Sequence, residues 1–204
     1  MAQRLRVYRD AHGWDIDDLA QRCIEAGVAL TAAEIAELES GQGAGVTLQQ
    51  LLTLAYVLSV PPVLLFVPVG EDYHFEVTPG VLVAPDAAVR WVSGQAMLPS
   101  DRSAAIWQRF ARPVHLYRQL DDAHEHRWNA EVELRRSRPG TDREAATDRY
   151  TAALANVALM LAAMVEDGMT VPPVPDYTAR DMVTLGLALP PGVPITVTEQ
   201  SQLV

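Results

Sequence analysis

The stretch Thr31-Ala-Ala-Glu-Ile-Ala-Glu-Leu-Glu-Ser-Gly41 contains the signals of a complete short helix. Thr31 and Glu34 form a T-x-x-E pair, in which the hydroxyl accepts from the third helical amide and the carboxylate accepts from the amide of the cap. Gly41 can take the left-handed conformation that commonly ends a helix. These two signals predict a helix over residues 31–40.

The residues within this helix divide between two sides. At about 100° per residue, Ile35 and Leu38 fall on one side with Glu39 flanking them. A function of the helix is therefore expected on the other side, which carries Ala33, Ala36, Glu37 and Ser40.

Four more helices are predicted around this one between residues 5 and 66. Each has a local start or stop signal of the kind that helices use. The signals are a stop at Gly13, an acidic cap at Asp15, a second capping pair at Thr47 and Gln50, and a Pro61-Pro62 first turn before Leu64 to Phe66.

The order of these residues resembles the Xre/Cro-like helix-turn-helix family of bacterial and phage repressors, over about residues 3–66. The residues that follow, through a Trp91-bearing helix, look similar to actinobacterial regulators of this type. The resemblance implies a lambda-repressor-like domain of five helices, with helix 31–40 placed in the major groove of DNA. The residues that carry it are Leu5, Arg9, Gly13, Leu19-Ala20, Ile35, Leu38-Glu39-Ser40-Gly41, Leu51, Leu54-Ala55, Leu58, Val60-Pro61 and Leu65.

The resemblance implies double-stranded DNA as the partner of the N-terminal domain. Alanines on the outward side would meet thymine methyl groups, and Glu37 would accept from a cytosine amino group. Hydroxyl and amide side chains would donate to phosphates without a charge. The predicted DNA-binding residues are Arg4, Thr31, Ala32, Ala33, Ala36, Glu37, Ser40, Gln42 and Thr47.

The charge of this segment supports a second hypothesis. Residues 1–66 contain four arginines and eight acidic residues, whereas basic side chains supply most of the nonspecific affinity for DNA. The alternative is therefore a protein-interaction module that keeps the helix-turn-helix fold without binding DNA. The surface from Ala33 to Gln42 would discriminate the two, since an acidic or apolar patch there favours a protein partner.

Composition limits the class of protein. The chain has 204 residues, 49% of them hydrophobic, and a net charge of -10, which argues against membrane surfaces and unspecific nucleic-acid coating. The single cysteine, Cys23, lies on the apolar side of a predicted helix and allows no intramolecular disulfide. No apolar signal segment begins the chain. We therefore expect a cytoplasmic protein.

The second half of the chain is predicted to be a separate, mainly helical domain. We place the boundary at residue 68, giving a DNA-binding domain at 1–68 and a dimerisation or regulatory domain at 69–204. A short β segment turns at Pro79-Gly80. A helix over 101–110 and a new one starting at Pro113 should follow, and Thr141 with Glu144 should cap the next. The helix that starts at Pro113 and the helix that starts at Thr141 should form a long antiparallel hairpin.

The stretch Leu154–Val165 within that hairpin is apolar on almost every side. Twelve helical residues span about 18 Å, too short to cross a bilayer. Two explanations remain open: an intramolecular core, or an interface with a second subunit, since repressors of this type bind as two-fold dimers. A small-molecule or protein effector on this domain is a further alternative.

Three groups of residues bear on whether the chain carries a chemical site. The run Asp121-Asp-Ala-His-Glu-His126 lacks the spacing of a zinc motif, and Gly41-Gln-Gly-Ala-Gly45 lacks the lysine of a phosphate loop. The arginines of the hairpin tip are typical of a solvated turn. We expect no enzyme, metal or cofactor. The resemblance implies a mainly α transcriptional regulator that acts as a repressor.

Overall fold

The structure is a computed structural model that describes residues 1–43, 45–71, 74–99 and 103–197, and it is mainly helical as predicted. The chain divides into two compact units, Met1–Asp101 and Arg102–Val204. We call them unit 1 and unit 2. The boundary predicted at residue 68 lies inside unit 1.

Five helices open unit 1 and surround one core. Their fully buried members include Leu5, Leu19, Ile35, Leu54 and Leu65. The periodic apolar positions of the sequence are therefore the ones that pack together. The helices are α1 (Ala2–Ala11), α2 (Ile16–Glu25), α3 (Ala32–Ser40), α4 (Leu48–Val57) and α5 (Val63–Phe66).

The remainder of unit 1 is a β-hairpin and one helix. Strand β1 (Phe75–Thr78) pairs antiparallel with β2 (Val81–Val83), and α6 (Pro85–Val92) has a proline in its first turn. Phe75 lies against Phe66 with ring centroids 6.4 Å apart. This contact joins the hairpin to the end of α5 within unit 1.

Unit 2 is built on the predicted hairpin of two long helices, α7 (Ala104–Arg136) and α8 (Thr141–Glu166). Arg149 pairs with Glu133 near the turn and Arg112 with Asp167 at the far end, so the helices run antiparallel. A third helix, α9 (Asp176–Thr184), and a parallel pair of two-residue strands, β3 (Val174–Pro175) and β4 (Ile195–Thr196), complete the unit.

Two predictions for the hairpin were wrong. Pro113 does not start a helix but lies within the continuous α7; proline lacks an amide proton, so α7 forgoes one backbone hydrogen bond there. The predicted start at Asp101 lies outside the described residues. Thr141 does not cap α8, because Gly140 holds the capping position and the Asp142 carboxylate accepts instead from the Arg138 amide at 3.0 Å.

The apolar stretch Leu154–Val165 packs inside its own unit. Leu154, Val157, Leu161 and Met164 are each 0% exposed within the core of unit 2. An intramolecular core thus accounts for these side chains. Within the described part of the chain, none of the helices combines the length and hydrophobicity needed to cross a lipid bilayer.

Candidate nucleic-acid interface

Both ends of α3 are held by the local chemistry that the sequence predicts. The Thr31 amide donates to Glu34 Oε2 at 2.8 Å, and the Glu34 amide donates to Thr31 Oγ1 at 3.2 Å. The backbone hydrogen bond from Thr31 is the main reason that the pKa of Glu34 lies below its ordinary value. Gly41 ends the helix with φ of +75°, a conformation that side chains with a Cβ disfavour. The capping box and the glycine stop are confirmed.

The inner side of α3 is fixed by packing and by an ion pair. Ile35 is fully buried, and Leu38 packs against the same core. Glu39 binds Arg9 of α1 through two hydrogen bonds, Nε to Oε1 at 2.7 Å and Nη2 to Oε2 at 2.8 Å. The side chains are 8% and 6% exposed, and the hydrogen bond to Glu39 raises the pKa of Arg9. Bidentate pairs of this kind set orientation as well as energy.

The outer side of α3 carries small and acidic residues. Ala33, Ala36, Glu37 and Ser40 are all exposed, as predicted from their spacing. Ser40 Oγ donates to the carbonyl of Glu37 at 2.9 Å and accepts from the Gln42 amide at 3.4 Å. Glu37 is the one carboxylate of this group. The outer side of α3 therefore has short side chains, which leave the helix backbone close to the surface, and it carries one negative charge.

The other predicted contact residues of this region occupy different positions. Ala32 is half-buried and packs against the core, whereas Gln42 is exposed just beyond the helix. The hydroxyls of Thr31 and Thr47 are both engaged in capping boxes, since Thr47 Oγ1 donates to Gln50 Oε1 at 3.0 Å. Both threonines remain exposed, so a further ligand would have to share hydroxyls that already form hydrogen bonds.

Arg4 lies away from the other predicted contact residues. Its Nη2 donates to the Phe66 carbonyl at 2.8 Å, and its Nη1 pairs with Glu71 at 3.0 Å. The side chain is 16% exposed. Arg4 thus joins α1 to the end of α5, a contact across more than sixty residues that no local pattern reveals. The structure places it in the framework of unit 1.

Two other arginines of unit 1 are more accessible and were not among the predicted contacts. Arg6 is exposed one turn after Ala2 in α1, and Ala2 lies 3.7 Å from the Cβ position of Gly41. Arg6 is therefore on the α3 side of α1. Arg22 of α2 lies over the Trp14 ring at 4.1 Å, a cation–π contact. Among the described residues, neither forms an ion pair. Helical spacing would not have identified them, since Asp10 follows Arg6 by four residues and Asp18 precedes Arg22 by four.

The run Asp121–His126 lies within the continuous helix α7. His124 is half-buried, and burial lowers its pKa, while the neighbouring Asp121 and His126 face solvent. The described residues include no group of three or more histidine, cysteine or acidic side chains arranged for a metal. The glycine-rich link after α3 includes Ala44, which lies outside the described residues.

Searches of protein-family models, curated proteins and solved structures found no match to this chain.

Proposed function

We propose that this protein is a sequence-specific DNA-binding transcriptional regulator that reads the major groove with α3. The observation that carries the proposal is the division of α3 into two sides. Ile35, Leu38 and Glu39 hold the helix to unit 1, while its outer side takes no part in the core. A helix secured on one side with small residues on the other can approach base edges closely.

The chemistry of the outer side defines the contacts. The methyl groups of Ala33 and Ala36 suit thymine methyls, and Glu37 suits the amino group of cytosine. Phosphates would be bound by the accessible Arg6 and Arg22, together with the neutral Gln42. With two arginines, the logarithm of affinity should fall with the logarithm of salt at a slope of about 2.

The test is selection of bound fragments from random and genomic DNA pools at low salt, followed by salt titration of the best fragment. A recurrent motif with the expected slope supports the proposal. Arg6→Gln and Arg22→Gln should each lower the slope by about 1. Arg136→Gln, on unit 2, is the matched control and should leave the slope unchanged.

A second variant tests whether α3 reads the bases. Glu37→Gln replaces the carboxylate that suits cytosine by the amide whose donor and acceptor together suit adenine. The selected motif should therefore change from cytosine to adenine at one position, with the rest retained. An identical motif from both proteins would exclude α3 as the reading element. Recovery of no DNA at any salt concentration would exclude the proposed function itself.

The alternative, a protein-interaction module on the same fold, is favoured by one observation. Leu48, Leu52 and Tyr56 form a line along α4 and are 70, 48 and 79% exposed. A line of exposed apolar residues beside an acidic helix is typical of protein interfaces. If DNA selection fails, cross-linking of the full chain in cell extract should place partner peptides on α4, and Leu52→Arg should abolish those cross-links.

A further inference from the structure

Residues 174–195, which contain α9, close on themselves within unit 2. At the base of this stretch the Val174 amide donates to the Pro194 carbonyl at 2.8 Å, and β3 pairs with β4. After α9 the Leu187 amide donates to the Met182 carbonyl at 2.8 Å. In the part of the chain that the structure describes, the backbone hydrogen bonds of residues 174–195 all stay within this range. We call it the α9 segment. Backbone hydrogen bonds therefore do not hold it to the α7–α8 hairpin.

Side chains attach the α9 segment to the hairpin. Val174, Ala179 and Met182 are 1, 6 and 0% exposed in the core that the two long helices also fill. The Tyr150 hydroxyl of α8 donates to Asp181 Oδ2 at 2.5 Å. Among the described residues, this is the only hydrogen bond between the hairpin and the segment. The attachment thus depends on apolar packing and one polar contact.

Two polar atoms at this attachment are buried without a hydrogen-bond partner in the described structure, Thr178 Oγ1 and Arg127 Nε. Thr178 is 1% exposed and lies four residues before the buried Met182, so both face the inner side of α9. The Arg127 side chain is 7% exposed, and its guanidinium lies 5.8 Å from the centre of the Tyr177 ring. A buried polar group without a partner has lost its hydration without compensation. These two atoms therefore weaken the attachment of α9.

The contact between the two long helices is stronger. It joins helices of 33 and 26 residues, whereas α9 has nine. The facing side chains are large and apolar, and each is at most 4% exposed: Leu116, Leu120, Leu154, Val157 and Leu161. Proteins open first where few apolar contacts hold an element in place. Within unit 2, the α9 segment should therefore open at a lower free energy than the hairpin.

We infer that the α9 segment is a lid that opens from the hairpin as one element while α7 and α8 remain paired. Thr178 lowers the free energy of this opening, because its hydroxyl regains water only in the open state. Opening uncovers the apolar side of the hairpin on which Ala179 and Met182 pack. A ligand with affinity for that side would shift the population toward the open state. The inference concerns unit 2 alone and goes beyond the proposed function.

Native-state hydrogen exchange on the full chain tests whether the lid opens separately. Relative to intrinsic rates, α9 amides should exchange faster than the slowest amides of α7 and α8. Gly140→Ala strains the turn between the long helices, where φ is +106°, and nothing lies within 4 Å of the added Cβ. It should accelerate the slowest α7 and α8 amides about 5 to 30 times and leave α9 unchanged. Equal acceleration of α9 would overturn the inference, since α9 would then open only with the whole unit.

The same measurement tests the role of Thr178. Thr178→Val keeps the shape of the side chain and removes the hydroxyl, so α9 amides should exchange about 5 to 150 times more slowly. Tyr150→Phe removes the hydrogen bond to Asp181 and should accelerate them about 10 to 150 times. Thr184→Val is the matched control, because the Thr184 hydroxyl is on α9 and already donates to the Arg180 carbonyl at 2.8 Å. It should not slow the exchange.

A thiol within the lid gives an independent measurement. In a Cys23→Ala background, Ala179→Cys places a thiol at a position that is 6% exposed when the lid is closed. The rate of its reaction with iodoacetamide should fall with Thr178→Val and rise with Tyr150→Phe. Circular dichroism would show that each variant folds. Unchanged or faster labelling and exchange in Thr178→Val would overturn the inference, because the hydroxyl would then have a partner in the closed state.

Discussion

Breaking the ion pair between Arg9 and Glu39 should destabilise unit 1 measurably. Glu39→Ala removes both hydrogen bonds from a guanidinium that is 8% exposed. Breaking a buried pair in this way costs about 3 to 5 kcal/mol in other proteins. Here Arg9 keeps the Trp14 carbonyl at 2.7 Å and Asp10 at 2.8 Å. We therefore expect a loss of about 2 to 3 kcal/mol in the free energy of unfolding.

Native-state hydrogen exchange on the full chain can measure this loss locally. Amides of α1 and α3 should exchange about 30 to 150 times faster in Glu39→Ala, since each factor of ten corresponds to about 1.36 kcal/mol. The matched control is Glu133→Ala, which breaks the equally bidentate pair with Arg149 on the exposed surface of unit 2. That change should leave exchange in α7 and α8 nearly unchanged.

A double variant separates the two explanations of such a loss. Replacing both Arg9 and Glu39 by Met removes the charges together, so neither is left buried without its partner. The double variant should be more stable than Glu39→Ala. Wild-type exchange rates in Glu39→Ala, or a double variant as unstable as the two single losses combined, would refute the reasoning.

Three further predictions concern helix ends and a buried tyrosine. Glu34 has a lowered pKa, so its contribution to α3 is complete above its ordinary value of 4.5 and is lost as the pH falls through the lowered one. The protection of α3 amides, which is the intrinsic exchange rate at each pH divided by the observed rate, should therefore fall between pH 5 and 3 in the wild type but not in Glu34→Gln. Gly41→Ala should lower the free energy of unfolding by about 1 to 2 kcal/mol in thermal denaturation, because φ is +75° at this residue. Gly43→Ala is the control, since an added Cβ there would meet its neighbours at an ordinary 3.5 Å. Equal losses in the two variants would contradict a conformational cause. Burial and the 2.5 Å hydrogen bond to Asp181 raise the pKa of Tyr150, so the stabilisation by this tyrosine is complete below pH 10 and is lost at higher pH. Tyr150→Phe should remove the last tyrosinate to form in an absorbance titration and should lower the free energy of unfolding by about 1.5 to 3 kcal/mol. An unchanged titration would assign that tyrosinate to another residue.

The features that could be predicted from sequence are those determined by residues close together in the chain. The capping boxes at Thr31 and Thr47, the stop at Gly41 and the turn at Pro79-Gly80 each depend on positions within four residues of one another. Helical periodicity likewise predicted that Ile35 is buried and which residues of α3 face outward. Local signals and tertiary packing agree at these places.

The features that could not be predicted depend on competition between two local conformations or on contacts between residues far apart in the chain. Pro113 fits both the first turn and the interior of a helix, and packing of Leu116 and Leu120 on α8 favours the interior. Thr141 satisfied the capping pattern, but Gly140 occupied the cap. The role of Arg4 depends on Phe66 and Glu71, which are 62 and 67 residues away. A tertiary partner at such separation leaves no local trace.

The separation of α3 into a supporting side and an open side has a consequence for how this protein can diversify. The cap at Thr31, the stop at Gly41 and the inner residues hold the helix without help from Ala33, Ala36 or Glu37. Surface substitutions outside caps and cores usually change stability by less than about 0.5 kcal/mol. Mutation at the outer positions can therefore be selected for a new partner without first losing the fold. Descendants of one ancestral scaffold can acquire distinct targets in this way.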